Sequence, residues 1–200
     1  VSKLPELAAL IGNAPWVQCA EYADAGAVSC VGINDVDASQ HVVSQLADGG
    51  RKRIALINHD LSYKYARLRE RGYKSVIHLR DLDYQAVEYA SELSSSAGMA
   101  AMQNLLTANP PDAVFAVSDT LAAGALRAIQ QAGLRVPEDI AVGGFDGTEL
   151  AEMISLTTIE QPSRDIGRKA VNLLLNKIDN PDAPTERVMM DWRFISRAST

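Results

Sequence analysis

Residues 113–147 read AVFAVSDTLAAGALRAIQQAGLRVPEDIAVGGFDG, and this stretch decides the fold. Ala113 to Val117 is an unbroken apolar run, the pattern of a strand buried on both faces of a parallel sheet. Ser118-Asp119 offers side-chain oxygens to the unpaired N–H groups of a following helix. From Leu121 to Gln131 the apolar residues recur at helical spacing until Gly133 stops the run. Val136-Pro137-Glu138-Asp139 then turns the chain into Ile140–Phe145, a second apolar strand that ends at Asp146-Gly147. The unit is strand, helix, strand, with polar residues gathered just past the strand C-termini. In open α/β sheets ligands bind at that edge.

The same alternation extends in both directions. Pro15–Ala20, Val28–Ile33 and Ile54–Ile57 read as strands. Asp37–Asp48, closed by Gly49-Gly50, and Tyr65–Ile77 read as helices. Ala97–Thr107 is a helix that stops before Asn109-Pro110-Pro111, because the residue before a proline is driven out of the helical region. Downstream come a strand over Leu156–Ile159, a helix over Ser163–Ile178, a proline-rich turn at 180–184 and a last strand over Arg187–Ile195. Short strands alternating with longer helices predict the α/β class with parallel sheets.

The 200 residues are 47% apolar and 22% charged, enough for one good core or two modest ones. A formal net charge of −6 argues against a nucleic-acid surface within these residues, since phosphate binding draws on clustered Lys and Arg. No apolar run approaches the ~20 residues of a bilayer span, so no membrane partner is expected. The start, VSKLPELAAL, lacks the charged and apolar regions of a signal peptide, although a chain beginning at Val1 leaves a preceding segment open. His41, His59 and His78 are scattered, and no Cys-x-x-Cys or His-Glu-x-x-His pair occurs, so no metal site is expected. Neither a dinucleotide fingerprint nor a Gly-Lys-Ser/Thr loop is present, and Gly-x-Ser-x-Gly is absent. The expectation is a binding module with no cofactor and no catalytic residue. Cys19 and Cys30 are expected as two buried free thiols rather than a disulfide.

What remains are polar residues at strand ends suited to a hydroxyl-rich ligand. An Asp146 carboxylate could accept two hydrogen bonds from adjacent hydroxyls, and Arg69 could donate a fork of N–H groups to the same ligand. Tyr63 and Tyr65 could stack on a ring. Each has a plainer reading. Asp146 before Gly147 also suits an ordinary turn, Arg69 lies within the charged run Arg67–Arg71, and the tyrosines could pack under a loop.

Several stretches together resemble the LacI/GalR family of bacterial transcription repressors. Arg51-Lys-Arg-Ile-Ala-Leu-Ile57 resembles the strand after the family's GH(K/R)RI turn, and Ala66–Tyr73 resembles its R-L-x-G-Y/W segment. Ala113–Asp119 with Leu121–Leu126 resembles its A-V-F-x-x-N-D-x-x-A-x-G-A-L unit. The most specific match joins Gly133-Leu-Arg-Val-Pro-Glu-Asp-Ile140, Gly144-Phe-Asp146 and Leu156-Thr-Thr-Ile-Glu-Gln-Pro162. The resemblance implies two doubly wound parallel-sheet subdomains of periplasmic-binding-protein-like type, the first incomplete in this chain. The first would comprise residues 1–34 and 162–190, the second 35–161 and 191–200. The family's helix-turn-helix domain is absent from this sequence.

Carried over position by position, the resemblance makes Arg69 and Asp146 effector contacts, with Ser118 where many members have Asn and Gln161 on a crossing strand. Leu93 stands where members place a stacking aromatic, a loss for which Tyr63 or Tyr65 would compensate. Asn58-His-Asp60 replaces the common Gly-Pro loop, and Asn34-Asp35 stands where members often have Asp-Asn. The implied function is effector sensing by a cytoplasmic homodimer. A sugar or nucleoside bound between the subdomains would control operator DNA binding, and DNA would be reached through a domain outside this chain. The dimer face is expected on the helix Leu121–Ile129 and the loop 149–156, with Leu121, Met153 and Ile154 as its apolar residues. The rival reading is a periplasmic sugar-binding protein of a transporter, which shares fold and pocket.

Overall fold

The computed structural model describes residues 9–22 and 28–200, so most of the opening stretch read for a signal peptide lies outside the described residues. Among the described residues nine strands form two sheets. The smaller joins β1 (Gln18–Cys19), β2 (Cys30–Gly32) and β8 (Arg187–Met189), all parallel, in the order β1-β2-β8. The larger joins β3 (Ile54–Asn58), β4 (Ala86–Tyr89), β5 (Ala113–Ala116), β6 (Ala141–Asp146), β7 (Thr157–Glu160) and β9 (Arg193–Ile195) in the order β4-β3-β5-β6-β7-β9. Its strands are parallel except β9, which runs antiparallel to β7.

All five residues of β3 and all four of β5 are buried, as their apolar runs, Ile54–Ile57 and Ala113–Ala116, require when helices cover both faces. α1 (Asp35–Asp48) packs on α2 (Lys64–Leu79), and α3 (Ser95–Ala108) packs on α4 (Asp119–Gln131). Two glycines of β6 show that these pairs lie on opposite faces. A Cβ on Gly143 would meet Val42 of α1, while one on the next residue, Gly144, would meet Leu156 and Asp119 on the α4 side. α3 and α4 approach so closely that a Cβ on Gly98 would collide with the Leu121 carbonyl, and one on Gly124 with the Ser95 carbonyl. α5 (Glu149–Met153) is one short turn of helix where a loop was expected, and α6 (Ser163–Asp179) lies against β1 and β2.

Four expectations need correction. The strand predicted over 187–195 is two strands in different sheets, with Asp191 and Trp192 crossing between them. β4 was missed because it is a half-buried edge strand with no apolar run to announce it. Leu121, expected at the dimer face, is fully buried in the core, where Gly98 of α3 abuts its backbone, so it offers nothing to a partner. Met153 is 78% exposed, and Ile154 is partly buried against the core. Both thiols are free, and Cys30 is buried, but Cys19, expected to be buried too, is exposed. Cys30 pairs across the strands with Gln18 rather than with Cys19, which therefore points to the other face.

Candidate functional site

A cavity of about 200 Å³ opens beyond the C-terminal ends of β5, β6 and β7. It lies where the strand order turns from β4-β3 to β5-β6-β7, the switch point at which helices leave the sheet on opposite faces. Tyr65, Arg69, Leu93, Ser118, Asp146 and Gln161 all line it, and Tyr63 does not.

Arg69 is the centre of the arrangement. It sits in the second turn of α2 and is 5% exposed. Its Nε donates to Asp35 Oδ1 at 2.8 Å, and its Nη1 donates to the Val117 carbonyl at 2.6 Å and to Asp146 Oδ1 at 3.3 Å. The guanidinium carbon lies 3.5 Å from the centroid of the Phe145 ring and 5.0 Å from that of Tyr65. A planar cation is thus stacked on one aromatic face with carboxylates at its edge, an arrangement that lysine could not reproduce. Among the described residues nothing accepts from Nη2, which leaves one strong donor for a ligand.

Asp146 ends β6 with φ at 116°, a backbone region that side chains rarely adopt. The Gln161 side chain donates to Asp146 Oδ1 at 2.8 Å and the Gln161 N–H donates to the Asp146 carbonyl at 3.2 Å, which ties the ends of β6 and β7 together. Behind it the buried Asp119 carboxylate accepts from the Thr148 N–H and hydroxyl and from the Thr158 hydroxyl, at 2.6 to 2.9 Å. This network fixes the turn that carries Asp146. Burial pushes the Asp146 carboxyl above its ordinary value, while the Arg69 guanidinium pulls it down and the Asp119 charge adds to the push.

The other walls follow from local rules. The Ser118 hydroxyl oxygen caps α4 by accepting from the Leu121 N–H at 3.2 Å, so its own proton is available to a ligand. Tyr65 turns its ring to the cavity while its hydroxyl lies 2.6 Å from His59 Nδ1. Burial pushes that phenol up to about 12. Tyr63 is half-exposed and stacks on His59, with ring centroids 5.1 Å apart. Tyr65 thus supplies the aromatic wall, and Tyr63 backs it through His59.

Sequence reasoning missed two residues. Asp35 stands in the sequence reading only as part of the Asn34-Asp35 pair ahead of the helix expected from Asp37; it opens that helix, and only its distance from Arg69 reveals its role in the site. Glu21 reads as a surface carboxylate after a strand, yet it also lines the cavity. A larger hollow of about 630 Å³ beside Trp16, Leu174 and Ile178 offers no comparable set, because its one charged residue, Lys177, donates to the Ala183 carbonyl.

Residues 43–200 match the family described as periplasmic binding protein-like domain. The chain is 37% identical over 160 residues to the ribose operon repressor of Haemophilus influenzae, covering 77% of this chain and 48% of that protein. The chain spans about half the length of the curated relatives it matches. A crystal structure of an uncharacterized protein from Actinobacillus succinogenes superimposes with a TM-score of 0.94 at 50% identity, covering 100% of this chain and 74% of that one. A LacI family transcriptional regulator from Enterococcus faecium with bound ribose superimposes with a TM-score of 0.88 at 26% identity, covering 100% and 75%. The chain belongs to the periplasmic binding protein-like family, in the branch that forms the C-terminal effector-binding regions of LacI-type regulators.

Proposed function

We propose that this chain is the effector-sensing region of a LacI-type transcriptional regulator, that its effector is a small neutral sugar, and that Arg69 and Asp146 hold it. The observation that carries this reading is the Arg69 guanidinium, clamped between Asp35 and Asp146 with its Nη2 amino group left over. Carboxylate oxygens accept from neighbouring ring hydroxyls, Arg69 Nη2 donates to a ring oxygen, and Tyr65 covers an apolar face. A cavity of about 200 Å³ suits one sugar ring, since drug-sized ligands occupy pockets of ~300 Å³ and above. The relatives at hand favour a pentose, one being a ribose operon repressor and another holding ribose. A ribonucleoside is the second reading, favoured by the Tyr65 ring as a stacking surface.

Residues 1–34 with 162–190 would act as one body, and 35–161 with 191–200 as the other. A ligand that binds the closed arrangement of the two bodies more tightly than the open one shifts their population. In a cytoplasmic homodimer this would alter the spacing of DNA-reading domains that lie outside this chain. The dimer face in this reading uses the exposed Met153 together with Ile154 and Leu126, the last two of which border one open hollow, and not Leu121. The role is sensing rather than catalysis, and a transporter's binding protein is the weaker alternative because the curated relatives are repressors.

Thermal unfolding with D-ribose, other pentoses, hexoses, adenosine and cytidine tests the reading. A ligand at a hundredfold excess over its Kd stabilises the native state by ~2.7 kcal/mol. A shift from one member, lost in Asp146→Ala, is expected. A folded chain that responds to none of them overturns it.

A further inference from the structure

We propose that Glu21 and Tyr22 form a latch that clasps the first residues of α2 to the three-stranded body and so sets how often the cavity stands open. The first observation is the end of β1. Ala20 takes φ of 63°, where side chains are disfavoured, and this turn breaks the strand and aims Glu21 at the other body. The Glu21 carboxylate then accepts from the N–H groups of Lys64 and Tyr65, at 2.5 and 3.1 Å. These are the first two residues of α2, whose N–H groups have no acceptor within their own helix. Tyr63, at the N-cap, contributes no side-chain bond, so the cap of this helix comes from the segment that follows a strand of a different sheet.

The second observation lies one residue on. Tyr22 is 2% exposed, with the Lys64 ammonium 3.6 Å from its ring centroid. On the side of its own body, Arg187 of β8 donates to the Tyr22 hydroxyl at 3.3 Å, and that hydroxyl donates to Met189 Sδ at 3.6 Å. Gly32 of β2 leaves room for the ring, since a Cβ there would stand 2.9 Å from it. Two consecutive residues anchored in one sheet therefore grip two consecutive residues of a helix that belongs to the other.

α2 is also the helix that carries Tyr65 and Arg69 into the cavity, and Glu21 itself lines the cavity. Releasing the latch withdraws the Glu21 wall from the Tyr65 and Arg69 wall, whichever molecule the cavity takes. Glu21 acts here as a positioning residue, through α2. The contact is tested without ligand, so its fate is independent of the sugar-sensing reading.

The test combines NMR-detected amide exchange with a distance measurement between the two bodies. It uses the full chain with Cys19→Ser and spin labels at Leu79→Cys on α2 and Leu175→Cys on α6, both exposed sites. The amides of Lys64 and Tyr65 are expected to be protected, to exchange at least tenfold faster in Glu21→Ala, and to fall between in Glu21→Gln, which keeps one acceptor oxygen. The label-to-label distribution should gain a longer population in Glu21→Ala and in Tyr22→Leu, with β3 amides still protected. Unprotected amides in the parent chain overturn the proposal. Faster exchange with an unchanged distance distribution overturns it too, because Glu21 would then be a helix cap and nothing more. If Glu21→Ala exposes the β3 amides and so fails to fold, the same two readouts on Glu21→Gln and Tyr22→Leu decide.

Discussion

The Arg69 guanidinium carbon stands 3.5 Å from the Phe145 ring centroid, with Asp35 at one edge of the same cation and Asp146 at another. The ring excludes water from one face, and the two carboxylates supply the charge balance that burial demands. Removing the cation therefore leaves Asp35, 4% exposed, with its charge uncompensated. Arg69→Ala is expected to cost about 3–5 kcal/mol in urea unfolding, the usual penalty for breaking a buried pair from one side. Arg69→Lys restores the charge but neither the fork nor the stacked plane, so it should recover part of the stability and little of the ligand response. Equal ligand affinity in Arg69→Lys and the parent would remove Arg69 from the binding role.

The cavity holds more negative than positive charge. Asp35 and Asp146 outnumber Arg69, and Glu21 adds a further carboxylate at the rim. A phosphorylated ligand would bring a like charge beside these groups. D-ribose 5-phosphate is accordingly expected to bind at least about tenfold more weakly than D-ribose, or ~1.4 kcal/mol, by calorimetric titration. Comparable affinities would show that the phosphate escapes the cavity and that the charge argument fails.

The fold was legible where apolar runs met clear stops. Residues 113–147 announce a strand, a capped helix and a second strand because each boundary has a chemical cause, Ser118 for the start of α4 and Gly133 for its end. β4 was illegible, since an edge strand exposed on one side carries no continuous apolar signal. The chain crossing at 190–192 was illegible too, because β8 and β9 have similar composition and only pairing with β2 or β7 separates them. For the site, the resemblance pointed at Arg69, Asp146, Ser118 and Gln161, which the structure brings to one cavity. Asp35 and Glu21 stayed hidden because each sits in the sequence as an ordinary acid, one just ahead of the expected helix and one just after a strand, and neither position says anything of its partner 34 or 43 residues away.

Gly124 marks the tightest helix crossing, where any side chain would press on the Ser95 carbonyl of α3 and on the backbone at Gly98. Backbone cannot swing aside as a side chain can. Gly124→Ala should cost ~1–3 kcal/mol through overpacking, despite the better helix propensity of alanine. A stabilised variant in chemical denaturation would show that α3 and α4 separate at little cost.

Met153, 78% exposed on α5, has no packing to lose. Met153→Lys should leave stability within about 0.5 kcal/mol, as is usual for exposed sites. If the surface around Ile154 and Leu126 joins two copies, the same change should shift the chain towards monomer in sedimentation velocity. An unaltered dimer would move the interface elsewhere on the molecule.

Asp146 sets stability against binding. Burial raises its carboxyl above the ordinary 3.8, so the folded state holds the proton more tightly than the unfolded chain. Stability from such a group is fully present below the unfolded value and is lost as pH rises through the raised folded value. Effector binding should run the other way, because hydroxyl donors need the carboxylate and lose it as pH falls through the same window. Asp146→Asn separates the two effects. It should flatten the decline in stability above pH 4, be at least as stable as the parent at pH 7, and lose the response to D-ribose. Urea unfolding across pH 4–7, with and without the sugar, checks all three. An Asn variant clearly less stable than the parent at pH 7 would mean that attraction to Arg69 outweighs burial, and that the site is held together by the charge it was expected to tolerate.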